Sequence, residues 1–94
     1  MVFWIQQMRT INIRKLRFEE ARNIFRQELE SAFFSGQAHL RVIHGIGTYT
    51  LRRMVEEEVA GKNYAKLMPD HANPGAVIIE LLIPEQHILK KFKS

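Results

Sequence analysis

The spacing of apolar residues changes period several times along the chain, and each change predicts a different element. Residues 8–13 alternate apolar and polar side chains, as a half-buried strand does. Residues 18–34 place apolar side chains at helical spacing, which predicts an amphipathic helix that stops at Gly36. Residues 39–43 are typical of a short buried strand, and residues 51–59 predict a second amphipathic helix that ends near Gly61.

The carboxyl-terminal half predicts two further strands. Residues 65–68 form a third strand closed by Pro69, and residues 70–75 are rich in turn formers. Residues 76–83 are apolar except for Glu80, which predicts a central strand that ends at Pro84. The order is therefore βαβαββ, an α/β fold. We interpret residues 1–94 as one domain with a core at about 8–83 and a basic tail at 84–94.

Composition and charge narrow the class of protein. The chain has no cysteine, which excludes disulfides and cysteine-ligated zinc and favours a reducing, cytoplasmic compartment. No apolar run approaches the roughly 18 residues of a membrane span, so no membrane partner is expected. Asp70 is the only aspartate and the glutamates lie mainly on helical faces, so no metal or cofactor site is predicted. The net charge of +4 favours an anionic partner.

Basic side chains fall into two clusters that the predicted topology brings to one sheet edge. One cluster follows the first strand, and the other lies between the second strand and the first turn of the second helix. Arginines at a helix amino end oppose the macrodipole, but a bound phosphate would reverse that penalty. The alternative is that these side chains only solvate an exposed surface. The clusters consist of Arg14, Lys15 and Arg17, and of His44, Arg52 and Arg53.

A glycine-rich loop separates the second strand from the second helix. Gly45 and Gly47 lack Cβ atoms and permit positive φ, so the backbone can approach a phosphate closely. His44 at the strand end can donate a hydrogen bond or transfer a proton near pH 7, and Thr48 or Thr50 is a candidate cap for the helix. The alternative is a tight strand-to-helix turn with a structural histidine.

Residues 42–52, Val-Ile-His-Gly-Ile-Gly-Thr-Tyr-Thr-Leu-Arg, resemble the His-Gly-x-Gly-x-Gly…Leu-Arg signature of Smr (small MutS-related) domains. Residues 75–81 resemble the closing strand of that family, and residues 11–16 with 19–21 its opening Leu-Asp-Leu-His-Gly-Leu and Glu-Glu-Ala. The resemblance spans residues 11–82. It implies a two-layer sandwich similar to the C-terminal domain of bacterial translation initiation factor three. It also implies binding of DNA or RNA, which several members nick or cleave, with Thr48 and Tyr49 added to the binding loop.

The chain departs from that family at positions where cleavage chemistry is expected. Asn12 replaces the family acid, Arg14 its histidine, Lys15 a glycine, and Tyr49 the last glycine of the loop. Neither an amide nor a guanidinium acts as a general base at neutral pH. The leading hypothesis is nucleic-acid binding with cleavage weak or absent. One alternative is a nicking endonuclease that uses His44, and this is the one hypothesis under which a divalent metal would be needed. The other alternative is a protein-interaction module of a larger repair or translation factor.

Overall fold

The computed structural model describes residues 8–47 and 49–82. Thr48, the apolar start at residues 2–5 and the predicted basic tail lie outside them. The described part contains a mixed sheet and two helices in the order βαβαββ. The elements are β1 Arg9–Asn12, α1 Phe18–Phe34, β2 His39–Ile43, α2 Thr50–Ala60, β3 Ala65–Pro69 and β4 Ala76–Leu81.

The observed bounds follow the hydrophobic pattern closely. The predicted bounds of α1 and β2 are confirmed to the residue, and α2 begins at Thr50, one residue before the predicted start. Gly36 ends α1 as predicted, since its φ of 80° departs from the helical conformation. β1 is shorter than predicted, although the Ile13 amide still donates to the Ile43 carbonyl at 2.9 Å and continues the ladder. Neither described helix is long and apolar enough to cross a membrane.

The four strands lie in the order β1-β2-β4-β3. β1 and β2 are parallel neighbours, and β4 runs antiparallel to β2 on one side and to β3 on the other. β4 is therefore an interior strand, as its apolar sequence predicts. Because Asn12 pairs with Ile43, the carboxyl ends of β1 and β2 meet at one edge of the sheet. That edge carries the turn into α1 and the loop into α2.

The core lies between one face of the sheet and the two helices. Alternate residues of each strand point into it, so Leu40 and Val42 of β2 are fully buried while their neighbours are only partly buried. Phe25 of α1 and Val55 of α2 pack against them. Phe34 departs from the apolar stripe of α1, and 70% of its surface is exposed.

One ion pair joins the two helices across their exposed sides. Arg26 of α1 donates to Glu58 of α2 through two nitrogens, at 2.9 and 2.8 Å. This bidentate contact with Arg26 lowers the pKa of Glu58, and the same contact raises the pKa of Arg26. The pair links the last turn of α2 to α1.

Candidate nucleic-acid interface

A small cleft of about 130 Å³ lies where β1 and β2 end and α2 begins. It is smaller than the roughly 300–1,000 Å³ of a typical small-molecule pocket, so it accommodates a group such as one phosphate. Among its described lining residues there is no carboxylate. The lining residues are Arg14, His44, Gly45, Ile46, Gly47, Tyr49, Thr50 and Leu51.

Two larger clefts lie elsewhere, around Tyr64. They measure about 370 and 220 Å³. The larger is lined by both Lys66 and Glu80, and the smaller places Glu30 among its basic side chains. Both of these clefts therefore mix charges, whereas the described lining of the loop cleft contains Arg14 and no carboxylate.

The two loop glycines hold backbone conformations that other residues rarely adopt. Gly45 has a φ of 84° and Gly47 a φ of 153°, which confirms the predicted positive values. A Cβ atom at position 45 would lie 3.0 Å from the Cβ of Arg14, whereas no described atom lies within 4 Å of a Cβ at position 47. Position 45 therefore favours glycine for two reasons, its positive φ and the close approach of the Arg14 side chain.

The turn after β1 places Arg14 beside the loop. The Asn12 side-chain oxygen accepts a hydrogen bond from the Arg14 amide at 3.1 Å, and the Ile13 carbonyl accepts one from Leu16, also at 3.1 Å. These contacts close the chain into a tight turn directly after the strand. Asn12 therefore shapes the turn that carries Arg14, a role that its side-chain oxygen fulfils without any proton transfer.

The turn between β3 and β4 holds the loop from its other side. The Gly75 carbonyl accepts hydrogen bonds from the amides of both His44 and Gly45, each at 2.9 Å. Asn73 fixes Gly75 in turn, because its side-chain oxygen accepts from the Gly75 amide at 2.8 Å. A Cβ at position 75 would lie 3.3 Å from the Gly45 carbonyl carbon. The sequence marked residues 70–75 only as a turn, and this positioning role was missed.

Asp70 anchors the same turn and is buried. One of its side-chain oxygens accepts from the Ala72 amide at 3.0 Å, and its carbonyl accepts from the Asn73 amide at 3.1 Å. The other oxygen lies 3.1 Å from Nε of Arg41 on β2, an ion pair whose angle falls outside hydrogen-bond geometry. His71 next to it is exposed. Within residues 8–47 and 49–82, no group of three acidic or imidazole side chains is placed to hold a metal ion.

His44 is buried at the base of the cleft, with 5% of its surface exposed. Its Nδ1 lies 2.8 Å from the Gly45 carbonyl. Since a carbonyl only accepts, Nδ1 carries the proton, and Nε2 of the neutral ring presents a lone pair. Nε2 is buried without a hydrogen-bond partner in the described part of the chain. Burial lowers the pKa of His44, and the charge of Arg52 lowers it further. The pKa of His44 therefore lies below its ordinary value, and the ring resists protonation more than the sequence suggested.

Two predicted basic residues lie at the same sheet edge without lining the cleft. Lys15 and Arg17 are exposed in the segment between β1 and α1. Arg17 is the N-cap residue of α1, directly before a first turn that contains Glu19 and Glu20. The positive charge of this segment is thus partly offset by neighbouring carboxylates.

Arg52 and Arg53 lie in the first turn of α2, where the sequence placed them. Arg53 is exposed. Arg52 donates to Glu56 one turn later at 3.1 Å, and this pairing offsets part of its unfavourable position near the helix amino end. Both arginines are close to the cleft in the chain, but neither lines it.

Tyr49 closes the cleft at the amino end of α2. It is the N-cap residue, with φ 62° and ψ 12°, and its side chain makes no capping hydrogen bond. It is the one non-glycine residue with positive φ among residues 8–47 and 49–82. Tyr49 is 52% exposed and Ile46 is 71% exposed, so two large apolar side chains form the rim of the cleft. The motif indicated Tyr49, whereas Ile46 was missed.

Comparison with known proteins covers the same region. A family model described as the Smr domain matches residues 11–82. This range contains both helices and the strands β2, β3 and β4 in full, and it lacks only the first two residues of β1. Among solved structures, the chain is similar to the Smr domain of MutS2 from Thermus thermophilus. The two are 25% identical with a TM-score of 0.73, and the match covers 80% of this chain and 99% of that one. No curated protein matches the chain significantly.

Proposed function

The chain belongs to the Smr domain family, and on that premise we propose that it binds DNA or RNA through the loop cleft, with cleavage weak or absent. The resemblance and the βαβαββ fold that the sequence predicted are both confirmed. The family is known for nucleic-acid binding and nicking. Whether binding and nicking both apply to this chain depends on the chemistry of the residues that line its cleft.

The observation that carries the proposal is the position of Arg14 against Gly45 at the start of α2. A helix amino end presents partial positive charge, and an arginine adds a planar donor group that matches phosphate oxygens. Gly45 and Gly47 add no side chains that would keep a phosphate away from the backbone.

The same residues argue against efficient cleavage. Asn12 uses its oxygen to shape the turn and cannot accept a proton as a general base, and the guanidinium of Arg14 has no acceptor atom with which to act as one. General acid–base catalysis is typically worth about 10²–10⁴-fold in rate. A chain without the family acid and histidine therefore retains phosphate positioning and loses most of the rate.

One observation favours an endonuclease as the second candidate. A neutral imidazole with a free Nε2 lone pair is what a general base requires, and His44 has that state. Nε2 is enclosed, however, so a substrate hydroxyl would reach it only after the loop moved. The third alternative, an interaction module of a larger repair or translation factor, draws on the exposed Phe34 and on the similar domain's origin in MutS2.

The binding proposal is tested by fluorescence anisotropy with labelled oligonucleotides over a range of salt concentrations. Affinity should fall steeply with salt because contacted phosphates release counterions. Arg14→Gln should flatten the slope of log K against log salt by about 0.7 for single strands or about 0.9 for duplex DNA. Lys62→Gln is the matched control, because it removes one exposed charge beyond the other end of α2. An unchanged slope in Arg14→Gln would refute the proposed contact.

The endonuclease candidate is tested by nicking assays on plasmid DNA and on labelled RNA, with and without EDTA. We expect little turnover by the unaltered protein. Restoring the family pattern with Asn12→Asp and Arg14→His should raise it, and His44→Ala should abolish whatever is present. Robust nicking by protein free of contaminating nuclease, unchanged by His44→Ala, would place the chemistry on other residues.

A further inference from the structure

The rim of the loop cleft carries an aromatic side chain that the phosphate site itself does not use. We propose that Tyr49 is a stacking platform for one unpaired base and directs the cleft toward single-stranded nucleic acid. This inference rests on the proposed function, because the phosphate bound in the cleft would bring the base to the ring. Tyr49 stands where the Smr signature has glycine, so the subsite belongs to this chain's own sequence.

The size of the cleft separates the phosphate from its base. At about 130 Å³, the cleft is well below the volume that a small-molecule pocket needs, so a bound nucleotide would leave its base outside. The large side chains on the described rim are Ile46 and Tyr49, which are 71% and 52% exposed. A base that leaves the cleft on this side meets an apolar and aromatic surface.

The backbone holds Tyr49 in place beside the helix. Its φ of 62° lies in the left-handed region, which bulky residues seldom occupy. The Tyr49 carbonyl accepts a hydrogen bond from the Arg53 amide at 2.9 Å, so the first turn of α2 fixes the residue relative to the amino end of the helix. An unfavourable conformation retained next to a binding site is a reason to look for a function of the side chain.

The chemistry of an aromatic platform defines the substrate class. A base in a duplex already stacks on both faces, whereas an unpaired base in a strand, loop or end has a face free for a side chain. Such stacking tolerates any base, since each has a π-face. Arg14 is placed to contact the neighbouring phosphate. The pair therefore recognises one unpaired nucleotide by its backbone charge and its aromatic surface, independent of sequence.

The test measures binding of one labelled 12-residue oligonucleotide as a single strand and as a blunt duplex. Tyr49→Asn removes the ring but keeps a residue that tolerates positive φ, and Tyr49→Phe keeps the ring. Tyr49→Asn should weaken single-strand binding by about 5- to 140-fold, as expected for one lost stacking contact, and should weaken duplex binding much less. Tyr49→Phe should bind as the unaltered protein does. Circular dichroism checks that both variants are folded.

A second readout reports stacking directly. 2-Aminopurine in the single strand should lose fluorescence on binding the unaltered protein and Tyr49→Phe, and should lose much less with Tyr49→Asn. If a folded Tyr49→Asn binds and quenches single strands as well as the unaltered protein, the stacking subsite is refuted. In that case Arg14-dependent, salt-sensitive binding would leave the proposed function intact. If the unaltered protein binds neither strand form, both the proposed function and this inference fail.

Discussion

Replacement of Gly45 by alanine should destabilise the domain more than the same replacement at Gly36. The two glycines have nearly equal φ values, 84° and 80°. An alanine in this left-handed region costs about 1–2 kcal/mol at either position. At position 36 no described atom lies within 4 Å of the new Cβ, so that strain is the whole cost.

At position 45 the new Cβ would also lie 3.0 Å from the Cβ of Arg14. Overpacking of this kind typically costs about 1–3 kcal/mol. We therefore expect Gly45→Ala to lower the free energy of unfolding by about 2–5 kcal/mol. The domain should still fold in buffer if its stability is in the usual range of about 5–15 kcal/mol. Urea denaturation of both variants measures the difference.

A double-mutant cycle isolates the contact from the strain. Arg14→Gly removes the Cβ that Gly45→Ala would meet, so the two changes together should cost at least about 1 kcal/mol less than their sum. Gly36→Ala combined with Arg14→Gly should be additive, since residues 36 and 14 share no described contact. Equal costs for the two alanines, or no coupling between positions 45 and 14, would refute the packing of the loop against the β1 turn.

Burial lowers the pKa of His44, so the folded protein resists protonation of this ring more than the unfolded chain does. The contribution of neutral His44 to the free energy of unfolding should be fully present above about pH 6.5 and should be lost as the pH falls through the folded pKa. A His44 pKa of 6.5 or higher by NMR would contradict this. Gly75→Ala should lower the free energy of unfolding, measured with urea, by about 1–3 kcal/mol, because its Cβ would lie 3.3 Å from the loop backbone. Gly61→Ala is the control and should be nearly neutral, since its Cβ would lie 3.7 Å from the nearest described atom. Equal losses for the two variants would count against the tight fit at Gly75. Glu58→Gln should lower the free energy of unfolding by less than about 1 kcal/mol above pH 5, because the pair of Glu58 with Arg26 is partly solvated. This loss should disappear as the pH falls through the lowered pKa of Glu58. A loss that does not change with pH would show that the pair is not its cause.

The parts of the fold that could be predicted from sequence are those set by the spacing of apolar residues within one element. The bounds of α1 and β2 follow from residues within each element, because a helix or a half-buried strand repeats its apolar positions at fixed spacing. The positive φ of Gly45 and Gly47 was also predictable, since a strand must pass to a helix within a few residues. The order of the elements then brought Arg14 and the loop to one edge.

The missed features depend on contacts between distant parts of the chain. Gly75 supports the loop because β4 pairs with β2 in a particular register, and no local pattern near residue 75 encodes that register. The lowered pKa of His44 depends on how deeply packing encloses the ring. The pairing of Arg52 with Glu56 was readable from their spacing of four residues, and it offsets part of the macrodipole penalty that the sequence indicated for Arg52.

The most direct test of the account is an NMR titration of the ¹⁵N-labelled protein with a short single-stranded oligonucleotide. We expect the largest amide shifts to cluster at residues 14, 44–47 and 49–53, around the cleft and the first turn of α2. These shifts should shrink together as salt is raised. Shifts concentrated instead around Tyr64, or near the exposed Phe34, would show that nucleic acid binds away from the loop cleft.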